Sequence, residues 1–277
     1  MKRYKASHSV FFFIYGSPFP GYIQISAEGH LRDKKKSDIR FTIKSQLINY
    51  TEQYCKMTFK FPENKPLLLD GATGTELEKH GVSLNDKLWS GIAVISEPEK
   101  LEEVYLDYLN CGSELIETAT YQLTKKGLIK HGLDPHSTYQ KAIDIADSAR
   151  QKHFEKTGKK AMIVGSIGPF GAYLADGAEF TGHYPEISNE EMKAFHSDRL
   201  DYLYNSPLVD LIGFETIPSY EEVKSILEMM KTKLDEAKKA GKPYKPYYLA
   251  LSCSPEMVLA DGSLLHKVLE YINGHLE

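Results

Sequence analysis

Three acids stand at the ends of apolar, strand-like runs. Asp70 closes Leu67-Leu68-Leu69 and precedes Gly71-Ala72-Thr73-Gly74-Thr75. Glu117 closes Leu115-Ile116 and precedes Thr118-Ala119-Thr120, and Glu215 follows Leu211-Ile212-Gly213-Phe214. A carboxylate in such a setting must be paired or hydrogen-bonded. At the carboxyl end of a strand in a parallel α/β sheet it also lies where ligands bind. The glycines after Asp70 leave backbone N–H groups free to receive a substrate carboxylate at the following helix N-terminus. That segment lacks the Gly-Lys-Ser/Thr ending of a P-loop and the spacing of a dinucleotide fingerprint. It fits equally a tight turn with Asp70 as a helix cap. Glu117 and Glu215 read as ligand contacts, as structural anchors, or as the acid/base pair of a barrel glycoside hydrolase.

A fourth stretch, Gly165 to Tyr184, is long and rich in glycine. Long loops at strand ends are where barrels carry their chemistry. Asp176 and Glu179 suit an ammonium group, and Tyr173, Phe180 and Tyr184 suit the walls of a pocket; the alternative is a solvated loop with two exposed acids. The ten histidines show no metal-ligand spacing. His131, His136, His153, His183 and His196 fall on polar helix or loop positions and are expected in solvent. Three cysteines, Cys55, Cys111 and Cys253, fit no disulfide framework and point to a reducing, cytoplasmic setting. Cys111 precedes a strand and Cys253 ends one, so they belong to opposite faces. A tetrahedral metal site needs ligands that converge, so no metal ligand is assigned, Cys253 being the remotest candidate.

The elements that must position these groups alternate regularly. Leu101, Val104, Tyr105, Tyr108 and Leu109 recur at helical spacing, predicting a helix over 96–110 that stops at Gly112. Strands are predicted over 67–69, 114–121, 161–165, 208–215 and 247–252, and helices over 138–156, 188–203 and 219–239. Ser188 with Glu191 and Ser219 with Glu222 each carry the capping-box pattern. Five strand-helix units argue for α/β architecture of the (β/α)8 TIM-barrel type, with about five of eight units present. An open sheet of this kind exposes edges, from which self-association is expected.

The 277 residues are 42% hydrophobic and 26% charged with net charge −4, an ordinary globular balance that does not favour nucleic-acid binding. No apolar run reaches the roughly 20 residues of a membrane span. Residues 1–57 differ from the rest: ten Lys and Arg stand against four Asp and Glu up to residue 56, around an aromatic run at Val10–Tyr15. They read as an irregular, poorly ordered extension that leaves targeting open, with the barrel domain over 58–277.

Four segments in order, Leu67–Gly81, Glu117–Gln122, Gly165–Gly182 and Phe214–Pro218, resemble the homocysteine S-methyltransferase family, in the branch that uses S-methylmethionine or S-adenosylmethionine. The resemblance implies a TIM barrel that moves a methyl group from a sulfonium donor to homocysteine, giving methionine. It implies that Asp70 and Glu179 hold the substrate ammonium. The backbone at Gly71 and the Thr118–Thr120 strand end would take the carboxylate, and Glu215 would lie on the pocket floor or on the donor side. Zn2+ is expected for the family, held by three cysteines in Gly-x-Asn-Cys and Gly-Gly-Cys-Cys segments. Neither segment occurs in this sequence, and Cys253, in Leu-Ser-Cys-Ser-Pro-Glu, matches neither. The sequence therefore reads as a barrel that stops before the metal ligands. Its alternative role is a non-catalytic homocysteine-binding or complementing fragment that associates with another chain.

Overall fold

The computed structural model describes the backbone of residues 10–16 and residues 67–242 and 244–275. The strands are β1 (Val10–Gly16), β2 (Leu115–Glu117), β3 (Met162–Ile167), β4 (Leu211–Ile217) and β5 (Tyr247–Cys253). Ahead of β2 come α1 (Thr73–Lys79), a 3-10 turn (Trp89–Ile92), α2 (Ala93–Ser96) and α3 (Pro98–Cys111). Then α4 (Lys125–Lys130) and α5 (Pro135–Thr157) lead to β3, and α6 (Phe170–Leu174), α7 (Ala178–Thr181) and α8 (Asn189–Asn205) lead to β4. Helix α9 (Tyr220–Ala240) leads to β5 and α10 (Leu265–His275) follows it.

The sheet order is β1-β5-β4-β3-β2; β2 to β5 run parallel in sequence order, and β1 adds antiparallel to β5. The edge of β5, expected to be open, is thus paired along Val10–Gly16. The remainder of the 1–57 extension lies outside the described residues. The strand expected at 67–69 is reduced to one parallel bridge, Leu69 to Leu115, with Leu67 and Leu69 packed inward while Leu68 is 53% exposed. Three residues at the sheet edge bury one face only, and the predicted strand is correspondingly short.

Strand side chains alternate between two apolar layers, as a period of two requires. Ile116, Ile163, Ile212, Phe214, Leu249, Leu251 and Cys253 face the helices, while Leu115, Met162, Val164, Leu211, Tyr248 and Ala250 form a separate inner cluster. The inner cluster exists because the sheet curls. The Tyr248 hydroxyl on β5 donates to the Glu117 carboxylate on β2. In a flat sheet three strand spacings of about 4.8 Å would hold those strands about 14 Å apart. Gly213 on the intervening β4 lets the Tyr248 ring cross: a Cβ there would lie 2.6 Å from the Tyr248 Cζ and Oη. This is the barrel-type curvature that the alternation of elements predicts. Among the described residues no helix is long and apolar enough to cross a membrane.

Helix ends follow local chemistry in most places. Pro98 opens α3, Asp134 caps α5 by accepting from Ser137 N–H at 2.8 Å, and the Ser188–Glu191 capping box of α8 forms in full. The second capping box does not form. Ser219 makes no side-chain cap, and the Tyr220 N–H is taken instead by the Asp261 carboxylate at 2.6 Å. Glu222 has turned away from its own helix end to meet donors from two other elements.

Gly213→Ala should cost about 2 kcal/mol, because the added methyl overpacks the inner layer against Tyr248. Urea denaturation read by circular dichroism checks this; an unchanged midpoint would show that Tyr248 does not need the space.

Candidate active site

The site grows from the carboxyl ends of β2 and β4. Between Phe214, paired with Leu249, and Ile217, paired with Leu251, β4 carries a bulge. Thr216 sits there at φ +57°, a left-handed conformation that a β-branched residue rarely adopts. A bulge re-aims a side chain, and here it leaves Glu215 within hydrogen-bond contact of Glu117 and Tyr248. Glu117 also accepts from the Ser166 hydroxyl of β3 at 3.3 Å. Asp70 reaches across from the preceding segment, its carboxylate accepting the Glu117 N–H at 2.9 Å while its own N–H donates to Leu115 O at 3.0 Å. The cap of α1 is Ala72 without any side-chain bond, so Asp70 is a clamp on β2 and not a helix cap.

Three carboxyl groups thus converge from three segments. Burial and the Glu117 charge hold the Asp70 carboxyl well above the usual carboxylate range. Burial does the same for Glu215, and Glu117 and Asp70 add to the effect. The Tyr248 hydroxyl is pushed up by burial and by the same two glutamates, so it remains a donor. The hydrolase reading of Glu117 and Glu215 fails on geometry. Two carboxyls in hydrogen-bond contact leave no room for a glycosidic bond, which needs a separation of about 5 Å or more.

The excursion after β3 forms the second wall. Glu179, on the single turn α7, has one carboxylate oxygen buried with no hydrogen-bond partner among the described residues, and burial raises its carboxyl above the ordinary range. Tyr121 links this wall to the first, since its hydroxyl feels the charges of both Glu179 and Glu215. Asp176 is exposed and accepts the Ala178 N–H at 3.0 Å, so it shapes the turn before α7. Of the three aromatics expected to wall a pocket, Phe180 is 61% exposed. Tyr173 and Tyr184 pack on Phe170, with ring centroids 6.1 and 5.5 Å away.

The Thr118 and Thr120 side chains are buried and spent on the fold. Their hydroxyls lie 2.7 Å apart, Thr120 donates to Ser166 O, and Thr118 accepts from the Ser166 N–H. The Thr118 and Thr120 N–H groups donate to Val164 O and Thr118 O. Gly71 is exposed beside Tyr108.

Three polar residues are buried where the sequence reading did not place them in the interior. Arg199 on α8 is 1% exposed and donates to the carbonyls of Thr120, Tyr121 and Gly168, tying the ends of β2 and β3 together. His196, expected in solvent, is completely buried and meets Glu222, itself completely buried, at 2.8 Å. One signal was available. Met192, Phe195, His196, Arg199, Leu200 and Leu203 follow helical spacing as one stripe, and a charge within an apolar stripe marks a buried partner.

Among the described residues no three of His, Cys, Asp and Glu could hold an ion. Cys253 faces the helix layer with its thiol pushed up to about 12 by burial, and Cys111 is exposed at the other end of the sheet. Cys55 lies outside the described residues.

Residues 67–275 match the family model of homocysteine S-methyltransferase. Homocysteine S-methyltransferase 1 of Arabidopsis thaliana is 38% identical over 174 residues, covering 59% of this chain and 53% of that protein. Homocysteine S-methyltransferase of Escherichia coli is 34% identical over 214 residues, covering 76% and 66%. The metallated crystal form of the E. coli homocysteine methyltransferase MmuM superposes with a TM-score of 0.66 at 32% identity, covering 77% of this chain and 72% of that one. The chain thus spans about half to two thirds of the length of these curated relatives.

The carboxyl cluster has a pH signature. Asp70 and Glu215 keep their protons to higher pH when folded than when unfolded. Folding is therefore unpenalised below the unfolded carboxyl range near pH 4, and stability falls as pH rises from there through the folded values. Glu117→Gln removes the central charge, while its amide oxygen can still accept from Tyr248. The variant should lose less stability than wild type between pH 5 and pH 8. Urea midpoints at the two pH values decide it; equal losses would mean the three acids do not interact.

Proposed function

Since this chain belongs to the homocysteine S-methyltransferase family, we propose that it binds homocysteine by its amino-acid end and serves methyl transfer from a sulfonium donor, S-methylmethionine or S-adenosylmethionine. The observation that carries the reading is the Glu179 carboxylate, whose buried oxygen lacks a partner among the described residues and whose charge reaches Tyr121 together with that of Glu215. An ammonium group brings the positive charge and the donors that this oxygen lacks. Asp70 is the second acceptor for it. The Gly71 backbone and the Thr118–Thr120 strand end border the place of the carboxylate, with contributions from their N–H groups limited by the bonds those threonines already make. Glu215 floors the pocket, where a sulfonium cation gains from a carboxyl able to ionise.

In the transfer, the homocysteine sulfur forms a bond to the methyl carbon as the donor's sulfonium–carbon bond breaks. The thiol proton passes to solvent water, and the donor departs as a neutral thioether, so its departure needs no acid. A free thiol with pKa near 8.5 is mostly protonated at neutral pH. The Zn2+ expected of the family would remove that proton on binding, but the described residues do not fit the ion, and no step is assigned to it. That misfit favours a second reading: a homocysteine-binding or complementing unit, inactive alone, that associates with another chain.

Isothermal titration of the purified chain with L-homocysteine, followed by assays with both donors and metal analysis, separates these readings. Asp70→Asn and Glu179→Gln should each weaken binding about tenfold or more, the loss of a hydrogen bond to a charged group being about 1.5–3 kcal/mol. Methionine formation supports transfer by this chain; binding without turnover supports the complementing unit. Unaltered affinity in both variants would remove the ammonium assignment.

A further inference from the structure

Glu222 is the most deeply committed acid in the molecule. It is 0% exposed, and three donors, from α6, from α8 and from the loop between α7 and α8, meet its carboxylate. The Phe170 N–H at the start of α6 and the His196 Nε2 of α8 reach one oxygen at 2.7 and 2.8 Å; the Tyr184 hydroxyl donates to the other at 2.5 Å. Phe170 and Tyr184 bracket the excursion that carries Glu179. A single side chain on α9 therefore holds both ends of that excursion.

Between these ends the packing leaves Glu179 little freedom. A Cβ on Gly171 would lie 2.5 Å from the Glu179 backbone nitrogen, and one on Gly182 would lie 2.4 Å from the Asp261 nitrogen. Gln122 donates to Ala172 O at 2.5 Å, holding α6 from the β2 side. With both ends and both flanks fixed, the unpartnered oxygen of Glu179 is kept in place instead of swinging to water.

We propose that Glu222 is a positioning residue that sets Glu179 for the ammonium group of the substrate. The proposal deepens the homocysteine reading and rests on it for the ligand, while the anchoring itself is independent of any ligand. Charge is what the position requires. An ionised carboxylate has only acceptor sites, so three donors can converge on it. A glutamine amide would turn an NH2 group on one of them. Aspartate would fall short of the loop.

The experiment compares wild type with Glu222→Gln and the milder Tyr184→Phe, which removes one anchor and leaves the buried carboxylate two donors. Hydrogen exchange should accelerate at least tenfold in residues 171–184 of both variants, with β3 and β4 unchanged. L-homocysteine should bind about tenfold more weakly, while 4-mercaptobutanoate, which lacks the ammonium, should bind as it does to wild type. Added to Glu179→Gln, Tyr184→Phe should cost homocysteine affinity nothing further. Faster exchange throughout the chain, equal weakening of both ligands, or additive losses would each overturn the proposal in favour of a purely structural role. Failure of wild type to bind homocysteine would sink the ligand reading alone, and the exchange comparison would then decide the anchoring by itself.

Discussion

The bond from Tyr248 to Glu117 requires β5 to approach β2 across the inner face of the sheet, and most of the candidate site depends on that approach. Curvature of this degree needs room at β4, which Gly213 supplies, and an apolar floor, which Leu115, Met162, Val164 and Leu211 supply. Once the sheet is curled, the ends of β2 and β4 point toward a common centre. Glu117 and Glu215 meet there as a consequence, and Asp70 completes the group by clamping the Glu117 N–H. Acids forced together in this way resist full ionisation. Their proton affinity makes the centre responsive to an incoming cation.

The layer of loops above the sheet is held by buried charge and not by apolar packing alone. Arg199 gathers three carbonyls at the ends of β2 and β3, Glu222 gathers three donors from the β3 excursion and α8, and Asp261 takes the N–H groups of Tyr220 and Ser263. Burial lowers the Arg199 guanidinium to about 10, still charged at neutral pH, with Glu222 favouring that charge. Desolvating such groups is costly unless every lone pair and proton finds a partner. The return is specificity of position: loops after β3, β4 and β5 are fixed to one another by directional bonds. A pocket rim needs that, since its residues must be placed to a fraction of an ångström.

Much of this was legible in advance, for identifiable reasons. Apolar runs gave four of the five expected strands, three of them ending in an acid or glycine, because burial on both faces writes a continuous apolar signature. Helix α3 followed from its apolar spacing and α8 from its capping box, and helices also stand where 138–156 and 219–239 were predicted, as α5 and α9. The strand at 67–69 shrank to one bridge because a short segment at an edge has a neighbour on one side only. The Ser219–Glu222 capping box is the instructive failure. The motif is local, but Glu222 found better donors in Phe170, Tyr184 and His196, all remote in sequence. His196 misled for a related reason: its polarity suggested solvent, while its helical phase placed it inward beside the buried Arg199.

The sequence by itself determined the order of strands and helices, the family, and the acids that stand at strand ends, because those properties follow from local pattern and from the motifs that carry the resemblance. Only the tertiary structure decided which acids touch. It joined Glu117 to Glu215 and Asp70, tied the Thr118 and Thr120 hydroxyls to Ser166, and brought three donors to Glu222. A side chain's ionisation and partners depend on the groups within a few ångströms of it. In a curled parallel sheet those groups come from segments about 50 to more than 100 residues away, and no spacing along the chain specifies them.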